Sequence, residues 1–418
     1  MGWNLRRLAL PIAAGMTFTL GACAHGTATA ASDTGSGHVT ISYMNFISSG
    51  GHEKDLDAIK AAFEKANPDI TVNIQTVPYS DYFTKLQTAV AGGTAPDSFD
   101  LDYQDFITYQ SSGSIAPVTG VDGSVYKKSL LDSFAVGGKQ YGLPESFSDV
   151  VLFYNKALFD KAGLSYPTSS WTWADEMAAA KKLTDKSAGV WGDYQPISFY
   201  EFYKTLAQAG GQFLAADGKS ATFDTSQGQA AAQFLVGKSG VTMPTAAQGA
   251  GTPDFDTKLF TDGKLAMWHT GIWMFSALDK VPFGWDIAVE PGDTQQASAA
   301  FSNAAVVSAT SKNQAAATKW ITFLTSSDTE VQTRLSTGWE IPAISDQSKL
   351  NAYMTAGKPD NRQAVFDALN NVVNPPVIVK EQQMQDAVNN ELTAAAAGRK
   401  SVNAALTDAQ KAVNALLP

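Results

Sequence analysis

The stretch VTISYMNFISSGGHEKDLDAIKAAFEKANPDITVNIQTVPYSDYFTKLQTAVAGGTAPDSFDL, residues 39–101, decides the fold class. Apolar residues alternate with polar ones in three short runs and recur at helical spacing in two longer runs between them. The short runs predict strands at 39–43, 70–77 and 99–101. The longer runs between them predict helices at 53–66 and about 81–91. Strands that alternate with helices imply an α/β protein with a mostly parallel sheet.

Three short segments directly follow the predicted strands and are candidates for a binding cleft. They are residues 45–52, 78–81 and 102–105. In sheets built from alternating strands and helices, ligands bind beyond the carboxyl ends of the strands. We therefore expect side chains from these segments to line the cleft of this protein.

The mixed strand and helix pattern continues downstream. A strand is predicted at 150–154, with a helix from about Lys156, and SSWTWADEMAAAKKL at 169–183 predicts a helix capped by Thr172. The stretch GKLAMWHTGIWMF at 263–275 predicts a strand followed by a helix. The chain ends in an alanine-rich segment, from about Lys380 to Leu416, that predicts helix throughout.

The amino terminus predicts export. Arg6 and Arg7 precede a mostly apolar run at 8–20. Such a run is too short to span a bilayer as a helix but is typical of the core of a signal peptide. We interpret residues 1–22 as a lipoprotein signal peptide for the general secretory route.

The evidence for a lipoprotein is the LGAC sequence at 20–23. It resembles the lipobox of bacterial lipoproteins and places Cys23, the chain's single cysteine, at the lipidated position. Residues 23–37 are rich in small polar residues and predict a flexible tether. The resemblance implies an extracytoplasmic protein anchored to the cell membrane by its lipid.

Composition excludes several classes of function. The chain has 418 residues, of which 44% are apolar, and a formal net charge of −10. One cysteine excludes intramolecular disulfides and thiolate-rich metal sites. The negative charge argues against nucleic acid as a partner, because phosphate binding needs clustered Lys and Arg. The chain contains four histidines and no pair of them at helical spacing, so we expect no bound metal and no cofactor.

Enzyme motifs are also missing. No serine lies in a G-x-S-x-G elbow. The Gly-Lys-Ser sequences at 218–220 and 237–239 lack the first glycine of a phosphate-binding loop. A secreted glycosidase needs only two carboxylates and stays an alternative from composition.

Six stretches of the chain carry a family resemblance when they are taken in order. They are FEKANPDITVNIQTVPYSDYFTKLQTAVAGGTAPD (63–97), YGLPESF…VLFYNKALFDKAGL (141–164), SWTWADEMAAAKKLT (170–184), GKLAMWHTGIW (263–273), SATSKNQAAATKWITFLTS (308–326) and GWEIPA (338–343). Their order and spacing resemble the bacterial extracellular solute-binding proteins of sugar ABC transporters, the maltodextrin-binding-like family. The resemblance is weakest at 190–260 and after 345.

This resemblance implies a two-lobed periplasmic-binding-protein fold of type II, whose hinged α/β lobes are joined by crossing strands and close on the ligand. Lobe I is expected to hold residues 38–145 and 303–327, and lobe II residues 146–302 and 328–418. The crossings are expected near 144–148, near 301–303 and around 327–331.

The resemblance also implies aromatic ligand contacts, because the C–H faces of sugar rings stack on aromatic rings. Trp273 aligns with a position that stacks on sugar in the family, although a tryptophan there could instead pack in the core. Trp339 resembles a second stacking position. The remaining tryptophans in the matched region are expected to be structural, namely Trp171, Trp173, Trp268, Trp285 and Trp320.

The expected polar contacts lie at the ends of the strands and at the crossings. They are Glu145 at the first crossing, Tyr103 and Gln104 after the third strand, Asn303 at the second crossing, and His52 at a strand-to-helix turn. His52 could instead cap a helix or face water. Two carboxylates have other interpretations: Asp102 could cap the next helix, and Glu340 is expected to be a solvated charge.

The sequence therefore predicts a monomeric, non-enzymatic receptor that captures a mono- or oligosaccharide for import. Its other partners would be the transmembrane subunits of an ABC permease. The nearest alternatives are a binding protein for a polyamine, an iron chelate or a peptide, followed by the secreted glycosidase.

Overall fold

The computed structural model describes residues 37–46, 52–252, 254–278, 280–337 and 339–417. The predicted signal peptide, the lipidation residue Cys23 and almost all of the tether lie outside the described residues. In the described part of the chain, no helix combines the length and the apolar character that crossing a membrane requires.

The strands are β1 (Val39–Asn45), β2 (Ile70–Thr76), β3 (Ser98–Asp102), β4 (Ala135–Val136), β5 (Lys139–Gln140), β6 (Gly142–Asn155), β7 (Met267–Gly271), β8 (Trp285–Ala288), β9 (Ser298–Val307), β10 (Ile341–Pro342) and β11 (Val372–Val373). The helices of the first half are α1 (Glu53–Ala66), α2 (Tyr79–Ala91), α3 (Tyr103–Ser111), α4 (Lys128–Ser133), α5 (Lys156–Ala162), α6 (Trp173–Leu183), α7 (Phe199–Gln208) and α8 (Ser226–Lys238). Those of the second half are α9 (Ala246–Gly249), α10 (Phe255–Thr261), α11 (Gln314–Ser326), α12 (Asp328–Thr337), α13 (Asn351–Met354), α14 (Gln363–Ala368), α15 (Glu381–Ala396) and α16 (Val402–Asn414).

The amino-terminal β-α-β-α-β unit forms as predicted. Strand β1 pairs in parallel with β2 on one side and β3 on the other. Helix α1 buries Leu56, Ile59 and Phe63, the apolar face that its helical spacing predicts. A parallel sheet places the carboxyl ends of β1 and β3 at the same edge, where α3 begins directly after β3.

Two long strands, β6 and β9, join this sheet to the rest of the protein. The strand order is β10-β6-β9-β3-β1-β2, and β7 and β8 flank the second half of β6. The first half of β6 pairs with β9 from Gly142 to Asp149, and its second half pairs with β7 and β8. β6 contains residues 144–148 and β9 contains residues 301–303, two of the positions expected for crossings, and their role in joining two lobes stays a prediction. The third expected crossing, around 327–331, is the junction between helices α11 and α12.

The prediction of a mostly parallel sheet is wrong: beyond β1–β3, the parallel pair among the described strands is the short β11 with β9, and the other pairs are antiparallel. Strand β9 runs antiparallel to both β3 and β6, and β7, β8 and β10 are antiparallel to β6. The long crossing strands traverse the sheet in opposite directions, so the pairs they make are antiparallel. The sheet is therefore mixed, and only its amino-terminal edge follows the alternating pattern.

Two helix predictions also need correction. The helix expected after β7 is absent, and Ile272–Met274 and Ser276–Leu278 form short 3-10 turns instead. Gly271 and Pro282 bracket that segment, and so short a stretch gains little from α-helical hydrogen bonds. The carboxy-terminal segment is two helices that pack on each other, α15 and α16, because Gly398 adopts a left-handed conformation with φ of 69°.

The tryptophans predicted to be structural pack as expected. Trp268, Trp285 and Trp320 are almost completely buried. Trp173 stacks on Phe234 with ring centroids 4.3 Å apart. Thr172 caps α6 in a reciprocal capping box, as the sequence predicted. Burial of such large rings supplies much of the hydrophobic stabilisation on both sides of β6.

Candidate ligand-binding site

The carboxyl ends of β1 and β3 lie beside the middle of β9 and β6 at one point of the sheet. Asn45 is the last residue of β1, and Asp102, the last residue of β3, pairs with Asn303 of β9. Asn303 also pairs with Ser146 of β6, and a register shift between Pro144 and Ser146 places Glu145 in a β-bulge. Bulges re-aim side chains and are frequent beside functional sites.

A small cavity, which we call the strand-end cavity, lies at this point. Its lining residues come from β6 and β9, from β1 and the residue after it, from β3 and α1, and from the segment that follows α12. They are Tyr43, Asn45, Phe46, Leu56, Asp100, Glu145, Asn303, Trp339 and Glu340. Three predicted ligand contacts, Glu145, Asn303 and Trp339, are therefore brought together.

His52, a fourth predicted contact, lies beside this cavity. Its ring stacks on Trp339, with centroids 5.1 Å apart and planes within 4°. His52 occupies the N-cap position of α1 but makes no side-chain capping bond, and its Nδ1 lies 2.7 Å from Asp55 Oδ2. The capping interpretation is therefore wrong, and the imidazole supports the Trp339 ring.

A fully buried arginine organises the polar wall of the cavity. Arg334 of α12 forms ion pairs with Glu145, with Glu330 at 2.6 Å and with Glu340 at 3.1 Å. Its guanidinium also lies over Trp339, 4.1 Å from the ring centroid. We call these four charged residues, Arg334 with Glu145, Glu330 and Glu340, the Arg334 cluster. Glu340 is thus not the solvated charge that the sequence suggested.

Burial changes the pKa values of the carboxyl groups at this cavity. Asp100 is 3% exposed and accepts a hydrogen bond of 2.6 Å from the Tyr43 hydroxyl. Burial and the nearby Glu145 carboxylate raise the pKa of Asp100 well above its usual range. Burial also raises the pKa of Glu330 to about 8, because the Arg334 guanidinium offsets only part of that effect. Burial therefore favours the protonated forms of Asp100 and Glu330 more than the single guanidinium favours their charged forms.

Trp273 belongs to a second group of predicted contacts. Its side chain is 52% exposed, and its ring meets Phe301 of β9 with centroids 5.8 Å apart. The ring folds back over Gly271, where a Cβ atom would lie 1.9 Å from the nearest ring carbon. Gly271 therefore makes room for the exposed ring, and Trp273 is not the core residue of the alternative interpretation.

Tyr103 and Gln104, at the start of α3, contact residues of the predicted lobe II. The Gln104 amide donates to the Tyr200 hydroxyl at 3.3 Å, and Tyr103 hydrogen-bonds Asn374. Tyr200 meets Phe301, which is also the neighbour of Trp273. The seven predicted contacts thus form two groups joined through β9, and their contact with ligand stays a prediction.

Asp102 caps α3, the alternative role considered for it, by accepting from the Asp105 amide.

A second buried charge cluster lies away from the cavity. It joins His269 of β7 to four carboxylates and two lysines, and we call it the His269 cluster. Its other members are Glu176, Asp193, Glu201, Lys204, Lys238 and Glu290. Two subsets of these carboxylates, each with His269, have the spacing of metal ligands.

Lysines occupy the cationic positions of the His269 cluster. Lys238 pairs with Glu176 and lies 2.6 Å from Asp193, and Lys204 lies 2.6 Å from Glu290. Burial lowers the pKa of His269, but the carboxylates around it outweigh burial and raise the pKa well above its usual value. The two ammonium groups and the imidazolium thus offset most of the charge of these four carboxylates.

One open groove lies elsewhere among the described residues, between α1, the segment 117–121 and α11. Its wall mixes serine, threonine and glutamine side chains with Phe63 and Phe323. No predicted ligand contact lines it, so the strand-end cavity stays the candidate site.

Sequence reasoning missed several residues of the site. Arg334, Asp100, Phe301 and Tyr200 were not identified, because helix and strand periodicity does not reveal which distant side chains meet. Asn45 carried a usable signal, since it ends an apolar strand within a segment expected to line the cleft.

Comparison with known proteins places the chain in a family. The model of the family described as bacterial extracellular solute-binding protein matches residues 50–331. An ABC substrate-binding protein from Listeria monocytogenes in complex with cycloalternan has a similar structure, at 41% sequence identity and a TM-score of 0.76, covering 90% of this chain and 98% of that one. The cyclic alpha-maltosyl-1,6-maltose binding protein from Arthrobacter globiformis is 25% identical, with a TM-score of 0.77 and coverage of 91% and 99%.

A curated relative agrees with these structures. The maltooligosaccharide ABC transporter solute-binding lipoprotein of Streptococcus pneumoniae is 25% identical over 397 residues, or 93% of this chain and 91% of the relative. The comparisons confirm the predicted family and the predicted type II periplasmic-binding-protein fold. Because the family model spans more than half of its length, the chain belongs to the bacterial extracellular solute-binding proteins.

Proposed function

We propose that the protein binds a neutral oligosaccharide in the cleft beside the strand-end cavity and delivers it to an ABC permease for import. The observation that carries the proposal is the meeting of Trp339, Glu145 and Asn303 around one cavity, with the exposed Trp273 nearby. Aromatic faces suit the C–H faces of sugar rings, and carboxylate and amide groups suit their hydroxyls. The 41% identity to a structure holding cycloalternan supports this ligand class.

Closure of the two predicted lobes would couple binding to transport. Lobe I would hold residues 38–145 and 303–327, and lobe II residues 146–302 and 328–418. A ligand that touches both lobes stabilises the closed state by its differential affinity for that state. The hydrogen bond from Gln104 to Tyr200 joins these predicted lobes.

The protein would act outside the cytoplasm as a monomer anchored by lipid at Cys23. A relative that is itself a lipoprotein supports the anchor. Binding without catalysis is favoured because the matching family model describes solute-binding proteins.

A thermal-shift screen of the chain from residue 24 onward tests the ligand class. Cycloalternan and maltotetraose are compared with spermidine and with a ferric chelate. A ligand present at 100 times its Kd adds about 2.7 kcal/mol to stability, so binding raises the Tm clearly. A shift with spermidine or the chelate alone would overturn the carbohydrate assignment.

Recovery of the sugar then separates a receptor from a hydrolase. The protein is incubated with maltotetraose and with cycloalternan, and the masses of the recovered sugars are measured by mass spectrometry. A receptor returns both intact. Shorter or ring-opened products would show hydrolysis.

A further inference from the structure

Gly271, the last residue of β7, lies directly beneath the ring of Trp273. It is buried and pairs with Val150 of β6. A Cβ atom built on Gly271 would lie 1.9 Å from Cζ3 of Trp273 and 2.1 Å from both Cε3 and Cη2. These are successive atoms of the six-membered ring, and their near-equal distances place that Cβ over the face of the ring. The indole therefore lies with one face on the α-carbon of Gly271.

Space, and not backbone conformation, requires a glycine at this position. Gly271 has φ of −89° and ψ of 160°, which every L-amino acid can adopt. Carbon atoms that are not bonded stay about 3.5–4.0 Å apart, so any side chain at 271 excludes the observed position of the ring. A glycine in a strand often marks such a close approach, although it weakens the strand.

Phe301 of β9 limits the ring of Trp273 on another side. The two ring centroids are 5.8 Å apart with planes at 66°, and Phe301 in turn meets Tyr200 at 6.1 Å. Trp273 is nevertheless 52% exposed, and exposed side chains otherwise move rapidly between rotamers. A ring that is already seated gives up less freedom when a ligand stacks on it.

We propose that Gly271 is a positioning residue for ligand binding, because its bare α-carbon seats the Trp273 ring in the orientation that stacks on a sugar. The inference rests on the proposed function and adds a residue that acts through the ring without touching the sugar. A side chain at 271 would turn the half-exposed ring into solvent. Its cost should therefore fall on affinity and much less on folding.

Gly271→Ala tests the role, with Gly284→Ala as the matched control. Gly284 is exposed, and a Cβ atom there would meet the flexible Lys156 side chain at an ordinary distance of 3.6 Å. By calorimetry with cycloalternan or maltotetraose, whichever wild type binds, Gly271→Ala should weaken binding roughly 10-fold, as expected for loss of the stacked ring. The control should bind as wild type does. A wild-type Kd in Gly271→Ala would overturn the inference.

A double variant shows whether Gly271 acts through Trp273. In a Trp273→Ala background there is no ring to displace, so adding Gly271→Ala should change the Kd by less than about 2-fold. A further 10-fold loss would show a different route to the ligand and would refute the positioning role. If Gly271→Ala alone fails to fold while the double variant folds, the ring supports the fold itself, and the inference is again wrong.

The position of the ring can also be followed without ligand. The indole N–H signal that disappears from the nitrogen-15 NMR spectrum in Trp273→Ala identifies this ring. That signal should shift in Gly271→Ala and stay in place in Gly284→Ala. A signal that does not move in Gly271→Ala would contradict the seating of the ring.

The outcomes separate this inference from the proposed function. If wild type binds neither sugar, both fail. If wild type binds and either Trp273→Ala or Gly271→Ala binds equally well, the inference alone fails.

Discussion

The Arg334 cluster and the His269 cluster are both buried, yet they differ in charge balance and in surroundings. The Arg334 cluster sets three carboxylates against one guanidinium and opens on a cavity. The His269 cluster sets four carboxylates against two lysines and a histidine that favours the charged form, and it lines no cavity among those described.

The pKa directions follow this difference. In the His269 cluster, the cations hold the pKa of Asp193 below its usual range and lower that of Glu290 to about 2, against the effect of burial. In the Arg334 cluster, burial outweighs the single cation and raises the pKa of Glu145 and of Glu330. Three cations facing four carboxylates therefore favour the charged forms of Asp193 and Glu290 in the His269 cluster, whereas one cation facing three carboxylates leaves burial in control in the Arg334 cluster.

The largest effect is expected from Lys238→Met in the His269 cluster. Lys238 is fully buried and pairs with Glu176 and Asp193, so its removal leaves two buried carboxylates short of a cation. We expect a loss of about 3–5 kcal/mol in the free energy of unfolding, measured by urea denaturation. The exposed Lys182→Met is the control and should change stability by less than about 0.5 kcal/mol.

Ligand binding decides whether the two clusters are separate. The folded fraction of Lys238→Met should bind sugar with the wild-type Kd, because the cluster lines no part of the cavity. A loss of affinity comparable to that of a cavity variant would mean that the His269 cluster belongs to the site after all.

A pH profile of stability tests the Arg334 cluster. The folded pKa of Glu330, about 8, lies above its ordinary value of 4.5, so the folded state binds the extra proton. This stability is complete below pH 4.5 and is lost as pH rises towards 8, at up to about 1.4 kcal/mol per pH unit. Glu330→Gln should remove that slope in denaturation series from pH 5 to 8.

Exposed Glu53→Gln is the control for this profile and should keep the wild-type slope. His269, whose raised pKa also makes stability fall at higher pH, contributes equally to wild type and to both variants. An unchanged slope in Glu330→Gln would place the retained proton on another carboxyl group of the cavity wall.

The sequence predicted the local units of this fold better than their long-range pairing. Alternation and helical spacing identified the elements from β1 to β3, and a capping residue identified the start of α6. The antiparallel partners of β6 were not predictable, because pairing between distant strands depends on packing over the whole sheet. The break at Gly398 was readable, since glycine commonly ends helices, but the alanine-rich run around it favoured one helix.

The sequence predicted several residues of the candidate site but not the ion pairs and ring contacts that connect them. Strand ends and crossings pointed to Glu145, Asn303 and Trp339, which the structure brings together. Nothing in the periodicity of α12 distinguishes Arg334 from a surface arginine of an ordinary amphipathic helix. Its burial follows from the packing of α12 on α1 and α11, which is tertiary information.

Trp273→Ala probes the aromatic part of the cleft. The ring is half-exposed, so truncation should change the unliganded stability little, while the loss of one stacked sugar should cost about 1.5 kcal/mol, or roughly 10-fold in Kd. Trp171→Ala is the contrasting variant, because Trp171 packs against Phe159 away from the site and should lower stability without changing Kd. An unchanged Kd in Trp273→Ala, measured by calorimetry, would remove Trp273 from the site.

The smallest effect is expected from Tyr200→Phe. Its hydroxyl receives hydrogen bonds of 3.3 Å from Gln104 and from Gln385, which belong to different predicted lobes. Long hydrogen bonds contribute little, so we expect at most about 1 kcal/mol, seen as a loss of no more than roughly 5-fold in sugar affinity.

Tyr203→Phe on the same helix is the matched control for Tyr200→Phe. The Tyr203 hydroxyl is buried without a hydrogen-bond partner, so its removal should leave the affinity unchanged and the stability equal or slightly higher. If both variants bind as wild type does, the contact between Gln104 and Tyr200 does not contribute to closure. The charged Arg334 cluster and the aromatic residues would then account for the coupling between ligand and lobes.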